Sequence, residues 1–382
     1  MKEGWEYKKF KDISHSISDG DWIEKDDQSN SGIRLIQTGN IGVGKFIPKD
    51  GSQKFITEDT FKKLRCSEIF EGDILISRLP NPLGRSCILP RLNTRCITAV
   101  DCSIVRIKKE VILPNYFIYY TQSQGYFSKI NSESSGTTRA RITRKKLELT
   151  EIPIPPSLSE QQSIVDYLDA AFAKIDAMKA NAEKRLNEAK ALFQASLKKM
   201  LEPKEGWEEK TLPDISENLD SKRKPVTKGK REAGIYPYYG ASGIVDYVSD
   251  YIIDDDILLI SEDGANLVAR STPIAFSVSG KVWVNNHAHI LKFQNIYTQY
   301  FVEYYFASIK IDEYVTGAAQ PKFSQKNMNK LPIWIPSLSE QQSIVATLDS
   351  LKSKVDRLQA NYEKISQECD ALKQAILRDI FE

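Results

Sequence analysis

An internal repeat constrains the fold of this 382-residue chain more than any other feature of its sequence. The ten residues PSLSEQQSIV occur unchanged at 156–165 and again at 336–345. A second related pair lies upstream of each copy, EGWEYKKFKDIS at 3–14 and EGWEEKTLPDIS at 205–216. Repetition of this kind predicts two copies of one structural unit rather than a single continuous domain.

The segments between the repeated stretches have diverged. Segments 15–150 and 217–330 share only traces, such as Gly136 with Gly317. A duplicated catalytic site would keep the same chemistry in both copies. Divergent segments within a repeated framework instead suit two domains that recognise different targets. The predicted order is therefore globular part, helix, globular part, helix.

Each SLSEQQ stretch is predicted to begin a long helix. Ser159 is the expected N-cap with Gln162 three residues later, and Ser339 with Gln342 repeats this capping box. A proline-bearing segment precedes each copy and ends the preceding structure. From there to about residue 201, and from the second copy to about residue 380, the sequence contains no Gly or Pro.

Apolar residues in the second helix repeat every seven positions, which is typical of a coiled coil. One seam position is occupied by Ile344, Leu351, Leu358, Ile365 and Leu372, and the other by Leu348, Val355, Tyr362, Cys369 and Ile376. The same register in the first helix gives Ile164, Ala171, Met178, Arg185 and Leu192, with Leu168, Ile175, Ala182, Ala189 and Ser196. That seam is thinner, and Phe172, Leu186 and Phe193 widen it to one side.

Helices of about 40 residues are about 60 Å long and cannot bury such a stripe on a small domain. The simplest way to bury each stripe is to pack it against the other long helix. That pair is antiparallel if the halves are related by a pseudo-twofold axis. The alternative is that the helices only mediate homo-oligomerisation. We predict an α+β protein with two globular domains separated by two long helices that form an antiparallel coiled coil. The boundaries are 1–156 for the first domain, 157–203 for its helix, 204–336 for the second domain and 337–382 for the second helix.

Composition excludes several classes of protein. Hydrophobic residues make up 41% and charged residues 27%, which is ordinary for a globular protein. No apolar run is long enough to span a membrane, and the polar N-terminus does not resemble a secretion signal. Five cysteines without CxxC spacing indicate free thiols in a reducing compartment, so we expect a cytoplasmic protein.

The net charge of +2 means that any contact with nucleic acid must come from local basic patches. Arg139, Arg141, Arg144, Lys145 and Lys146 crowd one segment just after Thr137 and Thr138. A second segment contains Lys222, Arg223, Lys224, Lys228, Lys230 and Arg231. Such loops neutralise phosphates and set register, although each could also be a merely solvated basic loop.

Base reading needs paired donors and acceptors, such as Arg for guanine and Asn or Gln for adenine. Candidates in the first half are Gln37, Thr38, Asn40, Arg78 and Arg85. Candidates in the second half are Tyr239, Ser242, Asn266, Arg270, Asn285, Asn286, His287 and Gln320, and Lys322 is a further expected DNA contact. Asn285 and Asn286 could instead hold a turn, and Tyr236, Tyr238 and Tyr239 are more typical of a core or a strand than of base stacking.

Several stretches resemble the specificity subunits of Type I restriction-modification systems, and the resemblance covers the whole chain. The segments PSLSEQQ at 156–162 and 336–342, GIYPYYGASGI at 234–244 and VNNHAH at 284–289 are similar to conserved stretches of that family. In the first half, IQTGNI at 36–41, GDILISR at 72–78 and SGTT at 135–138 are similar to pieces of a different recognition-domain subtype.

The resemblance implies two target-recognition domains, each reading one half of a bipartite double-stranded DNA target. It also implies that the helices fix the half-site spacing and bind two modification subunits, which methylate adenine with S-adenosylmethionine. Two restriction subunits would add ATP- and Mg-dependent translocation and cleavage. The specificity subunit itself is expected to be non-catalytic and to bind no cofactor or metal, and no membrane partner is expected.

Motifs for catalysis are missing from the sequence or incomplete in it. There is no Asn/Asp/Ser-Pro-Pro-aromatic tetrapeptide, no HExxH and no GxSxG. Gly39 to Lys45 fits GxxxxGK, but Phe46 replaces the Ser or Thr of a P-loop, so these glycines are interpreted as a turn. His287 and His289 lack a third metal ligand nearby.

Two other functions fit the same sequence. The chain could be a coiled-coil scaffold whose end domains bind proteins, in which case it would not bind DNA at any salt concentration. It could also serve an adenine methyltransferase that acts without a restriction subunit.

Overall fold

The computed structural model describes residues 3–136, 140–317 and 319–382. It divides into two compact units, which follow the two halves of the repeat. The first unit comprises Met1–Asn181 and Lys364–Glu382, and the second comprises Ala182–Glu363. Each long helix therefore contributes residues to both units.

The first unit is built from eleven described strands and four short helices before its long helix. The strands are β1 (Glu6–Lys9), β2 (Ser14–Asp19), β3 (Gln28–Ser29), β4 (Ile33–Ile36), β5 (Lys54–Ile56), β6 (Glu68–Ile69), β7 (Ile74–Ser77), β8 (Ser86–Ile88), β9 (Cys96–Thr98), β10 (Cys102–Ile107) and β11 (Glu151–Ile154). The helices are α1 (Glu58–Leu64), α2 (Pro114–Tyr120), α3 (Gln124–Ser132), α4 (Arg144–Leu149) and the long α5 (Leu158–Met200). Short 3-10 helices cover Lys25–Asp27 and Thr38–Asn40.

Three sheets organise the first unit. An antiparallel four-stranded sheet has the order β2-β10-β7-β8, and a mixed five-stranded sheet has the order β3-β5-β4-β9-β6. Strands β1 and β11 pair beside the start of α5. The inner strands β7 and β10 of the four-stranded sheet are almost entirely buried, and the sheet packs against α2 and α3 in the main core of the unit.

The second unit has its own strands and helices. The strands are β12 (Glu208–Lys210), β13 (Ser216–Asn218), β14 (Ala233–Gly240), β15 (Gly243–Val248), β16 (Ile253–Asp254), β17 (Ile257–Ser261), β18 (Ala275–Val278), β19 (Lys281–Val284), β20 (Ala288–Phe293) and β21 (Ile333–Ile335). The helices are α6 (Leu212–Ile215), α7 (Asn266–Ala269), α8 (Ile296–Ser308), α9 (Gln325–Met328) and the long α10 (Leu338–Phe381). Short 3-10 helices cover Asp220–Lys222, Lys228–Lys230 and Asp312–Tyr314.

The two units share the topology of two sheets and differ in the third. The antiparallel sheet β13-β20-β17-β18 of the second unit has the same connectivity as β2-β10-β7-β8 of the first. The pair β12-β21 likewise repeats β1-β11. The remaining sheet, β15-β14-β19-β16, has a different strand order from the five-stranded sheet of the first unit. The predicted combination of a common frame with divergent contents is confirmed.

Both long helices begin where the repeat predicts, but the capping residue differs from the prediction. The hydroxyl of Ser157 accepts a hydrogen bond from the backbone N–H of Glu160 (3.1 Å), and Ser337 does the same for Glu340 (3.3 Å). Ser159 and Ser339 lie inside the first turn, so the predicted capping box with Gln162 and Gln342 is wrong. The helix begins one residue after the first serine of the motif, and an N-cap side chain must precede the first helical residue.

The glutamate of each SLSEQQ motif attaches its helix to a tryptophan from the upstream repeat. The indole N–H of Trp5 donates to Glu160 (3.0 Å), and that of Trp207 donates to Glu340 (3.3 Å). This contact explains why EGWE and SLSEQQ are repeated together.

The buried glutamine that follows has a similar role. The amide of Gln161 accepts from the N–H of Leu113 (2.8 Å) and donates to the carbonyl of Val111 (3.0 Å). The amide of Gln341 accepts from the hydroxyl of Thr298 (2.7 Å) and donates to the carbonyl of Pro336 (2.8 Å). Buried amides need such partners, so this position is constrained in both copies.

The long helices pack antiparallel in each unit. In the first unit Lys373 bonds Asp176 (2.5 Å) and Lys179 bonds Asp370 (3.3 Å). In the second unit Lys190 donates to Gln359 (2.8 Å). Residue numbers rise along α5 while they fall along α10, so the predicted antiparallel pairing is confirmed.

The seam of α5 differs by one residue from the prediction at one of its two positions. Met178 and Leu192, predicted to lie in the seam, are 61% and 60% exposed. Phe172 and Leu186 are buried instead and Phe193 is half-buried, with Leu168 and Ile175 at the second position as predicted. The Ala-rich sequence offers two apolar stripes, and the pattern alone does not say which one is covered. In α10 the predicted heptad holds until Cys369, after which Leu372 is 49% exposed.

The last turns of each long helix lie in the core of a globular part. In the first unit the ring of Phe381 packs against Tyr116 and Tyr120, at centroid distances of 5.4 and 5.6 Å. In the second unit Leu197 and Leu201 are buried in the main core. Each globular part is therefore held by the start of one long helix and the end of the other.

Two further findings bear on the class of protein. No helix in the described part of the chain is both long and apolar enough to cross a bilayer. All five cysteines are free and buried, as the sequence indicated.

Two leucines of α5 test the corrected seam. Leu186→Ala is expected to lower the free energy of unfolding by about 2–5 kcal/mol, because Leu186 is only 3% exposed. Leu192→Ala, the matched control at an exposed position, is expected to change it by less than about 0.5 kcal/mol. Urea unfolding followed by circular dichroism measures both. Equal losses from the two variants would contradict this seam.

Candidate nucleic-acid interface

In each unit three segments meet at one end of the shared four-stranded sheet. In the first unit they follow β7, precede β10 and form a later hairpin. The N–H of Arg78 donates to the carbonyl of Asp101 (2.8 Å), and the N–H of Ile142 donates to the carbonyl of Arg78 (3.4 Å). We call the described residues of 78–85, 99–101 and 135–142 the first loop cluster.

The second unit repeats this arrangement bond for bond. The N–H of Glu262 donates to the carbonyl of His287 (2.9 Å), and the N–H of Phe323 donates to the carbonyl of Glu262 (2.7 Å). We call the described residues of 262–266, 285–287 and 316–323 the second loop cluster. Strand register agrees, since Cys102 pairs with Ser77 and Ala288 pairs with Ser261.

A short hairpin closes each loop cluster. Ser135 bridges Arg141 in the first, and Thr316 bridges Lys322 in the second. Both hairpins turn at a glycine with positive φ, 103° at Gly136 and 87° at Gly317. A Cβ at Gly317 would lie 2.5 Å from the carbonyl oxygen of Gln320, so glycine is required there. Thr137, Thr138 and Arg139, predicted to contact DNA, lie outside the described residues.

Arg85 lies in the first loop cluster and ties two loops together. It is buried and donates to the carbonyls of Ile41 (2.6 Å), Thr38 (2.8 Å) and Pro80 (2.9 Å), among others. Its guanidinium is occupied by backbone acceptors, which favours a positioning role over contact with a base.

Arg78 is also buried at this site. Its guanidinium donates to the carbonyl of Val100 and lies 3.4 Å from the carboxylate of Asp19. Burial lowers the pKa of Arg78, while the Asp19 carboxylate opposes this shift. Arginine stays charged even so, and the charge is largely used inside the protein.

Three polar residues predicted to read bases lie beside the first loop cluster. Asn40 is buried, accepts from the N–H of Gln37 (2.9 Å) and donates to the carbonyl of Ile47 (2.9 Å). Gln37 is exposed and Thr38 half-buried. Gly39 lies in a 3-10 turn and Ile41 bridges Phe46, in agreement with the turn predicted for the GxxxxGK stretch.

The cations of the first basic segment differ in their freedom. Arg141 pairs with Asp101 (2.8 Å), and Arg144 pairs with Glu148 one helical turn away (3.2 Å). Lys145 is exposed, and its side chain makes no hydrogen bond or ion pair to the described residues. Lys145 is therefore available to a phosphate at no cost in internal contacts.

The second basic segment shows the same division. Arg223 is mostly buried and binds Glu262 and Asp220, the latter at 3.3 Å. Lys222 and Lys224 are exposed. The ammonium of Lys224 lies 5.7 Å from the ring centroid of Trp283, whereas the side chain of Lys222 has no hydrogen bond or ion pair to described residues.

The turn at 285–287 presents one free amide. Asn285 is buried, and its side chain accepts from the N–H of His287 (2.8 Å), so it holds the turn as the alternative interpretation had it. His287 faces the carboxylate of Asp263 (2.8 Å). The exposed Asn286 side chain between them has no described hydrogen-bond partner.

A buried ionic group supports the second loop cluster from below. The ring nitrogens of His289 lie 2.6 Å from the Asp220 carboxylate and 2.9 Å from the carbonyl of Phe323. Burial alone would raise the pKa of Asp220, but hydrogen bonds from His289 and the backbone of Ile290, with the charge of Arg223, lower it overall.

The remaining predicted residues fall into two groups. Asn266 holds its own loop through Thr272 (3.0 Å), and Arg270 donates to the carbonyls of Phe306 and Ile309 (3.2 Å each) at the end of α8. Ser242 and Gln320 are exposed, and their side chains make no hydrogen bonds to described residues. Lys322 pairs with Glu262 (3.1 Å). The ring of Tyr239 packs near that of Phe276, with 6.0 Å between the ring centroids.

Sequence reasoning missed the acidic residues of both loop clusters. Asp101 and Glu262 pair with cations that the sequence marks as DNA contacts, and no sequence signal identifies them because those cations lie more than 30 positions away. Asp220, outside the loop cluster, pairs with Arg223 only three residues later, a spacing that the sequence does show. Within the described part of the chain, no group of three or more His, Cys, Asp or Glu could hold a metal ion.

The lowered pKa of Asp220 predicts a pH-dependent contribution to stability. A carboxyl whose pKa falls below its ordinary 3.8 on folding stabilises the protein above that value, and this contribution is lost as pH falls through the folded pKa. Asp220→Asn should cost about 1.5–3 kcal/mol near neutral pH. The difference from wild type should shrink as pH falls below 3.8 in urea unfolding experiments, whereas a constant difference would contradict the assignment.

Comparisons with known proteins identify a family. The Type I restriction modification DNA specificity domain matches the chain twice, at residues 2–188 and 204–367. The StySPI specificity subunit of Salmonella potsdam is 26% identical over 386 positions, which cover 91% of this chain and 81% of the relative. A Haemophilus influenzae protein named as a Type I specificity subunit is 35% identical over 155 residues, only 40% of its length.

Solved structures show the same fold. A chain from a structure of a type I R-M system superposes with a TM-score of 0.76 at 17% identity and covers 98% of this chain and 97% of its own. The HsdS subunit from Thermoanaerobacter tengcongensis gives a TM-score of 0.58 at 17% identity, over 100% of this chain and 97% of its own.

Proposed function

The chain belongs to the Type I restriction-modification DNA specificity family, and we propose that its two specificity domains each read one half of a bipartite DNA target. The observation that carries this proposal is the pair of loop clusters. Each loop cluster lies at the same end of the corresponding four-stranded sheet and is held by equivalent backbone hydrogen bonds. The two clusters nevertheless present different side chains. One structural frame with two surfaces fits two half-sites of different sequence.

Exposure separates the proposed contacts with DNA from their supports. Lys145 and Lys222 are free to neutralise phosphates, which positions the protein without reading sequence. The exposed polar side chains of Ser242, Asn286 and Gln320 are proposed to meet base edges, because amides pair well with adenine. The loops that carry them are held by the buried Asn40, Arg78, Arg85 and Asn285 and by the half-buried Arg223 and Arg270.

The long helices are proposed to set the half-site spacing and to dock two modification subunits. Support comes from their length of 43 and 44 residues and from the duplicated SLSEQQ helix starts. Two equivalent helix starts suit two copies of one partner. When two contacts with DNA are made from one molecule, the second is effectively intramolecular, so affinity depends on the spacing.

Chemistry is assigned to the partners in this proposal. S-adenosylmethionine would bind the modification subunits, which methylate adenine, and ATP with Mg would bind two restriction subunits. This chain would contribute recognition and no catalytic group. The cytoplasmic location stays a prediction.

Exchange of one domain tests the assignment of half-sites. Replacing residues 15–150 with the corresponding segment of a relative of known target should change one half of the methylated sequence and leave the other half unchanged. Genome-wide adenine-methylation mapping in cells with the wild-type or the exchanged gene measures this. Changes in both halves would contradict independent reading.

A further inference from the structure

Arg141 and Lys322 occupy equivalent places in the two units. Each is the second bridge residue of its hairpin, and each precedes the residue whose N–H bonds the loop after β7 or β17. Their side chains are 41% and 54% exposed, so both cations are accessible from outside.

Each cation forms an ion pair with a carboxylate whose side chain is less exposed than the cation. Arg141 Nη2 lies 2.8 Å from Asp101 Oδ1, on a side chain 32% exposed, and Lys322 Nζ lies 3.1 Å from Glu262 Oε1, on a side chain 12% exposed. In both loop clusters the hairpin cation is more exposed than its acid: Arg141 pairs with Asp101, and Lys322 pairs with Glu262, which also binds Arg223.

The two acids do not come from equivalent positions. Asp101 precedes β10, where the second unit has His287, and Glu262 follows β17, where the first unit has Arg78. A pair inherited from the duplication would use the same two positions. The cation has stayed in place while its acid differs, which points to a requirement for a neutralised cation at this hairpin.

Electrostatics supplies a reason for that requirement, given the proposed function on which this inference rests. Binding to random DNA depends on how many cations neutralise phosphates. A partly exposed ion pair is worth only about 0.2–1 kcal/mol, so a phosphate held close by correct base contacts can compete for the cation. A randomly placed phosphate gains little from a cation that is already neutralised.

We propose that Asp101 and Glu262 are specificity-determining residues that suppress binding to random DNA by neutralising the hairpin cations Arg141 and Lys322. Specificity is a difference between affinities, and a carboxylate beside the DNA lowers the affinity for wrong sites more than for the target.

Asp101→Asn is the cleaner test, because Glu262 also binds Arg223 and lies 3.8 Å from His289. The full chain with its methyltransferase partner is titrated into a random-sequence duplex and into a duplex carrying the methylated genomic site. Asp101→Asn should bind the random duplex about 2- to 5-fold more tightly. The slope of log affinity against log salt should steepen by about 0.9, and the ratio of target to random affinity should fall.

Matched variants separate this effect from general charge. Arg141→Gln should weaken binding to the random duplex, because it leaves the Asp101 carboxylate unpaired and repelling the phosphates. Glu208→Gln removes one negative charge from a pair with Lys210 on β12, away from the loop clusters, and should change neither affinity. Glu262→Gln repeats the test in the second domain, and thermal melting of each variant checks that it is folded.

The outcomes distinguish the inference from the proposed function. If wild type binds DNA with steep salt dependence and folded Asp101→Asn and Glu262→Gln show unchanged or weaker random binding, the inference is overturned and the proposed function stands. If the wild-type complex binds neither duplex at any salt concentration, the proposed function itself fails.

Discussion

Burial of the last turns of each long helix in a globular core is the interaction on which the rest of the structure depends. Phe381 of α10 packs among the tyrosines of the first unit, and Leu197 of α5 and Leu201 directly after it lie in the core of the second. Aromatic side chains of this size bury about 150–250 Å² each. Each domain is thereby fixed by two helix segments of opposite direction, and neither unit is complete without residues from both repeats.

The SLSEQQ motif fixes the start of each long helix in this arrangement. Glu160 and Glu340 hold a tryptophan of the upstream repeat, while Gln161 and Gln341 satisfy buried polar groups at the helix start. The domain contents were free to diverge because these contacts fix only the frame. In the loop clusters that freedom is visible as different acids that neutralise equivalent cations.

The sequence was sufficient to predict the two domains and their long helices, but not which polar side chains are exposed at the candidate interface. Exact repetition and heptad spacing predicted two long antiparallel helices, since both signals can be read directly from the sequence. The seam of α5 was misplaced because Met178 and Phe172 are both apolar and lie on neighbouring stripes, and only packing decides which stripe is covered. The helix start was misplaced because Ser157 and Ser159 both precede a polar residue by three positions.

For a related reason, the sequence did not separate the exposed candidate DNA contacts from the residues that only hold the loops. Lys145 and Arg85 are both cations in polar loops, yet Arg85 is surrounded by carbonyls from two distant loops. Burial of that kind depends on tertiary contacts that have no local pattern. Arg223 and Lys222 are adjacent and differ in the same way.

The central proposal, that one molecule recognises two DNA half-sites whose spacing is set by its helices, is tested most directly by changing helix length. Seven residues inserted after Lys184 and seven after Lys364 preserve the heptad register of the antiparallel pair. The helices lengthen by about 10 Å, which corresponds to about three base pairs at 3.4 Å per step. Methylation mapping should show both half-sites unchanged in sequence and separated by a longer gap. An unchanged gap in a folded, active variant would contradict the account.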